Sequence, residues 1–386
     1  MQSYKTPKHS DIPELIGKGT YGCTFYPSIN ACNGKQEDDI DSEHYITKIQ
    51  KHSSSIEEEI KIGKKIQQLH LYDHYFAPII KYCTINTVNM DYNLVRNCPQ
   101  IQNEFGEFDT GDKYLSNKIR YVGKRNLVQH LLHLKKTPAE MYRKLLNTHL
   151  YLLDATEKIL QENIVHFDLK PQNIMYDDIQ NVPIIIDFGI SKEITPITHS
   201  RFDVTKNPDT VRKIFISDES YGYWCIDIFI LSNIGTTSFL HPYEKVSVQK
   251  VAKLLKQFFT PFLLQLISSE EVIKFKQQML QYFKTYIDKH QTWQHIFRDL
   301  VQHYPTWDNY SLAVSYLFAD MKCSPPTKDE GKREPYTETI ESYLSILLEI
   351  ILSTPDKRPT IEETRHKIIS ITQHTAYLPQ KYTSNS

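Results

Sequence analysis

The sequence predicts an α+β chain built as two lobes, a small β-rich one carrying a single helix and a larger one made mainly of helices. Three observations carry this expectation. Leu15 to Phe25 reads strand, glycine turn, strand; Thr137 and Pro138 open a long amphipathic helix; and helical patterns dominate beyond Ile190.

In the first lobe a polar, acidic stretch follows the hairpin, expected as a surface insertion near residues 27–43, and His44 to Ile49 forms a second β-like run. Ser53 to Ser55 offer helix N-caps, and Ile56, Ile60, Ile62, Ile66 and Leu69 give the next segment one apolar face, with Glu57, Glu58 and Glu59 in its first turn. Phe76 to Ile85 and Ile119 to Val122 read as further strands, separated by an irregular Asn- and Asp-rich insertion near 86–117. The first lobe is expected over residues 1–122 and the second over 123–386. There Met141, Leu145, Leu152, Ile159 and Leu160 supply the apolar positions of the helix that Thr137 caps. Asn163 to Ile190 alternates turn residues with short apolar runs, including VPIII ahead of Asp187, and Cys323 to Pro335 reads as an exposed loop inside an extended segment near 237–337.

A chain of 386 residues suits one or two closely packed domains. Its 45 basic and 46 acidic residues leave a net charge of -1, which excludes nucleic-acid or membrane binding driven by bulk charge. Six cysteines show no C-x-x-C pair and no zinc spacing, so reduced thiols in a cytosol-like compartment are expected. MQSYKTPKHS has neither an apolar signal region nor Gly at position 2, and the apolar run Leu344 to Leu352 is short and broken by Glu349. A soluble cytoplasmic protein without stable membrane insertion is expected. His241, Trp293, His295, His303 and Trp307 read as packing or surface residues rather than a metal site.

Gly17-Lys18-Gly19-Thr20-Tyr21-Gly22 fits G-x-G-x-x-G, in which glycines let backbone N–H groups close over phosphates. Alone it is equally a glycine-rich hairpin turn. A dinucleotide fold requires a helix directly afterwards, whereas Cys23 to Tyr26 reads as strand. Lys48, in YITKI, could reach the α- and β-phosphates of a nucleotide if a carboxylate on the following helix oriented it. Glu59 is in phase with Ile62 and Ile66 and is preferred to Glu58 and Glu57. In HFDLKPQN, Asp168 can accept the proton of a substrate hydroxyl, Lys170 can neutralise charge on a transferring phosphoryl group, and Asn173 can bind Mg²⁺ together with Asp187 of DFG. The fixed order of glycine loop, Lys48, Asp168, Asn173 and Asp187 is far more specific than any one of them.

This set resembles the eukaryotic protein kinase family, over roughly Leu15 to Ile371. The resemblance implies a five-stranded antiparallel sheet with one helix, a hinge, a larger helical lobe, and ATP in the cleft with Mg²⁺ or Mn²⁺. It implies nucleotide contacts at Ile16, Gly17 to Gly22, Thr24, Lys48 and Glu59. RYVGKRNL resembles the hinge, with Ile119 as gatekeeper and Tyr121 and Val122 against adenine. YWCIDIFIL puts Asp227 where the family anchors the catalytic loop, and TPDKRPT adds Arg358, whose family partner is a Glu ending the activation segment, here Glu219.

Departures from the pattern carry information too. Phe167 stands where many members have an Arg that pairs with a phosphorylated activation loop, so Thr195, Thr198, Ser200, Thr205 and Thr210 are expected mainly as loop residues. Thr24 and Ile46 replace the usual Val and Ala around adenine. The long segment before YITK and the HFD form resemble Ser/Thr kinases of large cytoplasmic DNA viruses, which implies viral or host proteins as substrates and packaging into the virion. Small-molecule kinases of the aminoglycoside or choline type share H-x-D-x-x-x-x-N but seldom combine L-K-P-x-N with D-F-G. A pseudokinase scaffold would have lost catalytic positions that are all filled here, and Lys170 favours Ser/Thr over Tyr as acceptor.

Overall fold

The computed structural model describes residues 13–19, 22–29, 42–85, 96–102, 113–134, 137–215, 221–237, 239–323 and 337–373. Thr20, Tyr21, Cys32, Glu219 and much of the three expected insertions and loops lie outside the described residues. The chain divides into two compact units, one of Met1–Gly123 with Ile186–Ile190 and the other of Lys124–Ile185 with Ser191–Ser386.

The first unit is an antiparallel sheet of β1 (Glu14–Gly19), β2 (Gly22–Tyr26), β3 (Tyr45–Lys51), β4 (Ile79–Ile85) and β5 (Tyr114–Arg120), in the order β1-β2-β3-β5-β4. Thr24 pairs with Lys48 and Cys23 with Ile49. Strand alternation therefore sets Thr24 and Lys48 on one face and Cys23, Phe25 and Ile49 on the other, where they form a buried cluster with Ile85, Cys98, Ile101 and Tyr114. The last strand corrects the expectation of Ile119 to Val122, because it begins at Tyr114 and ends at Arg120. Ser116 and Asn117 hid it: both are buried, and the Asn117 amide donates to Gln50 Oε1 at 3.1 Å, so polar letters occupy interior strand positions. Helix α1 (Ser54–Ile66) starts on the side chain of Ser53 and buries Ile56, Glu59, Ile60, Ile62 and Ile66. A Cβ on Gly63 would lie 3.1 Å from Ile79 O, so glycine is what lets α1 settle closely on β4.

Cys23 and Cys98 are joined by a disulfide that spans 75 residues, and Cys83 is disulfide-bonded as well. This corrects the expectation of reduced thiols. Spacing along the chain could not reveal it, since the two sulfurs meet only once residues 96–102 fold onto the buried face of the sheet. Among the described residues Cys225 and Cys323 are free thiols.

The second unit begins with α2 (Leu127–His133) and α3 (Pro138–Gln161), the latter opened by a reciprocal cap between Thr137 and Glu140. Short strands β6 (Ile164–Val165), β7 (Ile174–Asp177), β8 (Val182–Ile186) and β9 (Lys192–Glu193) follow, β6 pairing with β9 and β7 with β8. Then come α4 (Pro208–Ile214), α5 (Ile226–Thr236), α6 (Val248–Phe258), α7 (Ser269–Asp288), α8 (Trp293–Val301), α9 (Trp307–Cys323), α10 (Thr337–Ile351) and α11 (Ile361–Gln373). Every residue of α9 from Trp307 to Leu317 is buried, as expected of a helix at the centre of a core. His149 of α3 ties it to α10, stacking on Tyr316 and bonding the Tyr343 hydroxyl at 2.8 Å; burial pulls this imidazole down to about 3, so it is neutral. Among the described residues no helix is long and apolar enough to cross a membrane.

Candidate active site

The side chains that the sequence singles out fall into two sets, one in each unit. In the first, the β1–β2 hairpin pairs Gly17 with Thr24, Lys18 with Cys23 and Gly19 with Gly22. A Cβ at Gly22 would sit 2.1 Å from Ile49 O, so any larger residue would lift the hairpin off β3. Ile16 projects outward, 51% exposed. Lys48 lies between two acids, with Nζ 3.4 Å from Glu59 Oε1 and 3.1 Å from Asp187 Oδ1. Glu59 is 4% exposed and Asp187 43%, so one partner is held in the interior while the other is partly open to solvent.

Burial draws the Lys48 ammonium down, but the Glu59 and Asp187 carboxylates outweigh it and raise its pKa above the ordinary lysine value. Burial in turn pushes the Glu59 carboxyl up, and Lys48 opposes that. Lys48 is therefore a fixed cation. Asp187 adopts the left-handed conformation (φ 60°), and Ser55 Oγ donates to Gly189 O at 3.4 Å, which steadies the turn after it. Tyr121 donates its N–H to His44 O at 2.8 Å and stacks on Tyr26, while Ile119 is buried and Val122 half-buried.

In the second unit the β6–β9 ladder delivers the chain to His166. Lys170 Nζ lies 2.9 Å from Asp168 Oδ1, and Asn173 Nδ2 donates to Asp168 Oδ2 at 2.7 Å. The structure thus brings Asp168, Lys170 and Asn173 onto one carboxylate. The Asn173 nitrogen is committed to Asp168, so the amide oxygen is the end suited to a cation. Tyr221 also donates its hydroxyl to Asp168 Oδ1.

Beneath this carboxylate the loop backbone is held by groups that the sequence reading missed. Asp308, in the first turn of α9, accepts from His166 N at 2.8 Å and from Phe167 N at 3.3 Å. Trp224 Nε1 donates to Phe167 O at 2.8 Å, and Ser315 Oγ to Leu169 O at 3.2 Å. Phe167 has a left-handed backbone (φ 63°) and a buried ring against Phe215 and Trp307. Asp308 gave no local signal in the sequence, because Asn309, Ser311 and Ser315 make its helix read as partly polar although all three are buried.

Asp308 thereby corrects the role expected of Asp227. Asp227 instead receives both terminal nitrogens of Arg358 at 2.8 and 2.9 Å, along with Trp307 Nε1 at 3.1 Å. The carboxylate that Arg358 meets is thus Asp227, and Glu219 lies outside the described residues. Both members of this pair are fully buried, so Arg358→Ala should lower stability by about 3–5 kcal/mol by stranding Asp227. Denaturant unfolding checks this, and a loss below about 1 kcal/mol would contradict it.

The description "Protein kinase domain" matches residues 11–368, nearly the whole chain, and the chain belongs to that family. A Caenorhabditis elegans serine/threonine-protein kinase, nekl-2, is 29% identical over 187 residues, covering 47% of this chain and 43% of that protein. The developmentally-regulated protein kinase 1 of Dictyostelium discoideum is 34% identical over 108 residues, 28% of this chain and 14% of that protein. The chain spans less than half the length of these curated relatives.

Proposed function

We propose that this protein is a serine/threonine protein kinase that transfers the γ-phosphate of ATP to hydroxyls on proteins. The observation that carries this reading is the Asp168 carboxylate, held by Lys170 and Asn173 in the arrangement that a proton acceptor beside a transferring phosphoryl group requires. Asp168 takes the proton of the attacking hydroxyl, and Lys170 offsets the charge that develops nearby. Lys48, fixed by Glu59, orients the α- and β-phosphates. Tyr121 and Val122 are the proposed adenine contacts, with the glycine hairpin over the phosphates.

Among the described residues no group of three His, Cys, Asp or Glu side chains forms a metal cage. That suits Mg²⁺ brought in by a nucleotide, which needs only one or two protein oxygens, and Asp187 with the Asn173 amide supplies hard oxygen donors. Asp187 and Asn173 would hold such an ion, and the chemistry it would supply is neutralisation of phosphate charge.

The aromatic packing of Phe167 supports a catalytic loop held ready without a phosphate clamp, and Thr205 Oγ1 is already bonded to Asp203 at 2.7 Å. Phosphatase-treated, metal-stripped enzyme should be silent in EDTA and regain most of its activity with Mg²⁺ or Mn²⁺. Turnover in EDTA, or none after dephosphorylation, would contradict the reading. A cytoplasmic viral enzyme acting on viral or host proteins is the subfamily reading, and it rests on the HFD form and the long segment before β3.

A further inference from the structure

Residues 96–102 come from the expected insertion between β4 and β5, yet they are tied to the glycine hairpin in three ways. Cys98 is bonded to Cys23, the register partner of Lys18 and the neighbour of Gly22. Gln100 Nε2 donates to Gly19 O at 2.6 Å, on the last residue of β1. Cys98 and Ile101 are fully buried against Phe25 and Ile49, and Tyr114 OH donates to Gln100 O at 3.1 Å, which fixes the turn carrying the amide. A further bond from Gln102 Nε2 to Arg96 O, at 2.5 Å, closes the segment on itself.

A two-stranded hairpin rich in glycine is among the least rigid pieces of backbone a protein can present. Ordering it only when a nucleotide arrives would subtract from affinity, whereas a hairpin already held by other contacts avoids that loss. The contacts meet the hairpin on its β1 end and on its β2 start, the two sides of the glycine turn.

We propose that residues 96–102 are a strap that positions the glycine hairpin for nucleotide, with Gln100 as the positioning residue and the Cys23–Cys98 disulfide as its lock. The proposal rests on the reading of the hairpin as a nucleotide-binding element. Reduction by a dithiol transfers two electrons and two protons: the S–S bond breaks, Cys23 and Cys98 become thiols, and the reductant closes to its own disulfide. The strap then keeps only its hydrogen bonds and apolar contacts. A compartment kept reduced by thiols would therefore hold the enzyme in its weaker nucleotide-binding form, and an oxidising one in its tighter form.

The test uses the full chain and the magnesium complex of a non-hydrolysable ATP analogue, with bridge status read by thiol counting on the unfolded protein. Cys98→Ser opens this bridge alone and leaves the disulfide of Cys83 in place. Its Kd for the analogue should be about five- to tenfold weaker than that of oxidised wild type, a loss that reduction of wild type reproduces. Gln100→Ala, with the bridge intact, should show a smaller loss, and in both variants the change should fall on KM for ATP rather than on kcat. Equal affinity in the oxidised protein and in folded Cys98→Ser would overturn the lock. If Cys98→Ser does not fold, wild-type affinity in Gln100→Ala overturns the strap. Failure of every form, oxidised wild type included, to bind the analogue would overturn the kinase reading itself.

Discussion

Replacing Asp168 with Asn should lower phosphoryl transfer by roughly two to four orders of magnitude while leaving the fold in place. The amide keeps the size of the carboxylate but cannot take a proton from the attacking hydroxyl, and it no longer gives Lys170 a negative partner at 2.9 Å. The effect should fall on kcat, because the groups proposed to hold the nucleotide, Lys48 and Asp187 among them, belong to the other unit. Single-turnover rates on the folded variant check this. A variant with wild-type turnover would remove Asp168 from the mechanism.

Asp308→Ala should have the largest effect on stability. It strands the N–H groups of His166 and Phe167 in the interior, each at about 1–3 kcal/mol, and Phe167 loses support for a left-handed backbone that costs about 1–3 kcal/mol to maintain. A loss of several kcal/mol is expected in denaturant unfolding, and a loss within about 0.5 kcal/mol would contradict the anchoring role.

The same residue gives a pH signature. Burial pushes the Asp308 carboxyl up to about 7, against the pull of the two N–H donors, from an ordinary value of 3.8. Its folded pKa lies above the unfolded one, so the stability linked to this proton is present below the unfolded value and is lost as pH rises through about 7. Asn cannot titrate. The stability advantage of wild type over Asp308→Asn should therefore shrink between about pH 5 and about pH 8, and a widening gap would count against it.

What the sequence made legible was local. HFDLKPQN could be read as one device because its polar side chains lie within a few residues of one another, and the structure gathers Lys170 and Asn173 on the Asp168 carboxylate. The β1–β2 hairpin was equally plain, since its glycines and alternation lie side by side. Features that depend on distant convergence were not readable. Asp308 meets the loop across 142 residues, and Cys98 meets Cys23 across 75. Strand β5 was obscured for a different reason: Asn117 is buried through its bond to Gln50, so polarity along the chain misreports burial in the sheet. The loop-anchoring role expected of Asp227 rested on the resemblance of YWCIDIFIL; an acid in the first turn of a helix, shortly after a Trp, also occurs at Trp307-Asp308, and only packing distinguishes the two.

The most direct test is incubation of the wild-type protein and Asp168→Asn with γ-labelled ATP, Mg²⁺ and a panel of proteins, followed by phosphoamino-acid analysis. Label on serine and threonine from the wild type, lost in the variant, is the predicted result. Label confined to tyrosine or to small molecules, or no labelled protein from the folded wild-type enzyme, would contradict it.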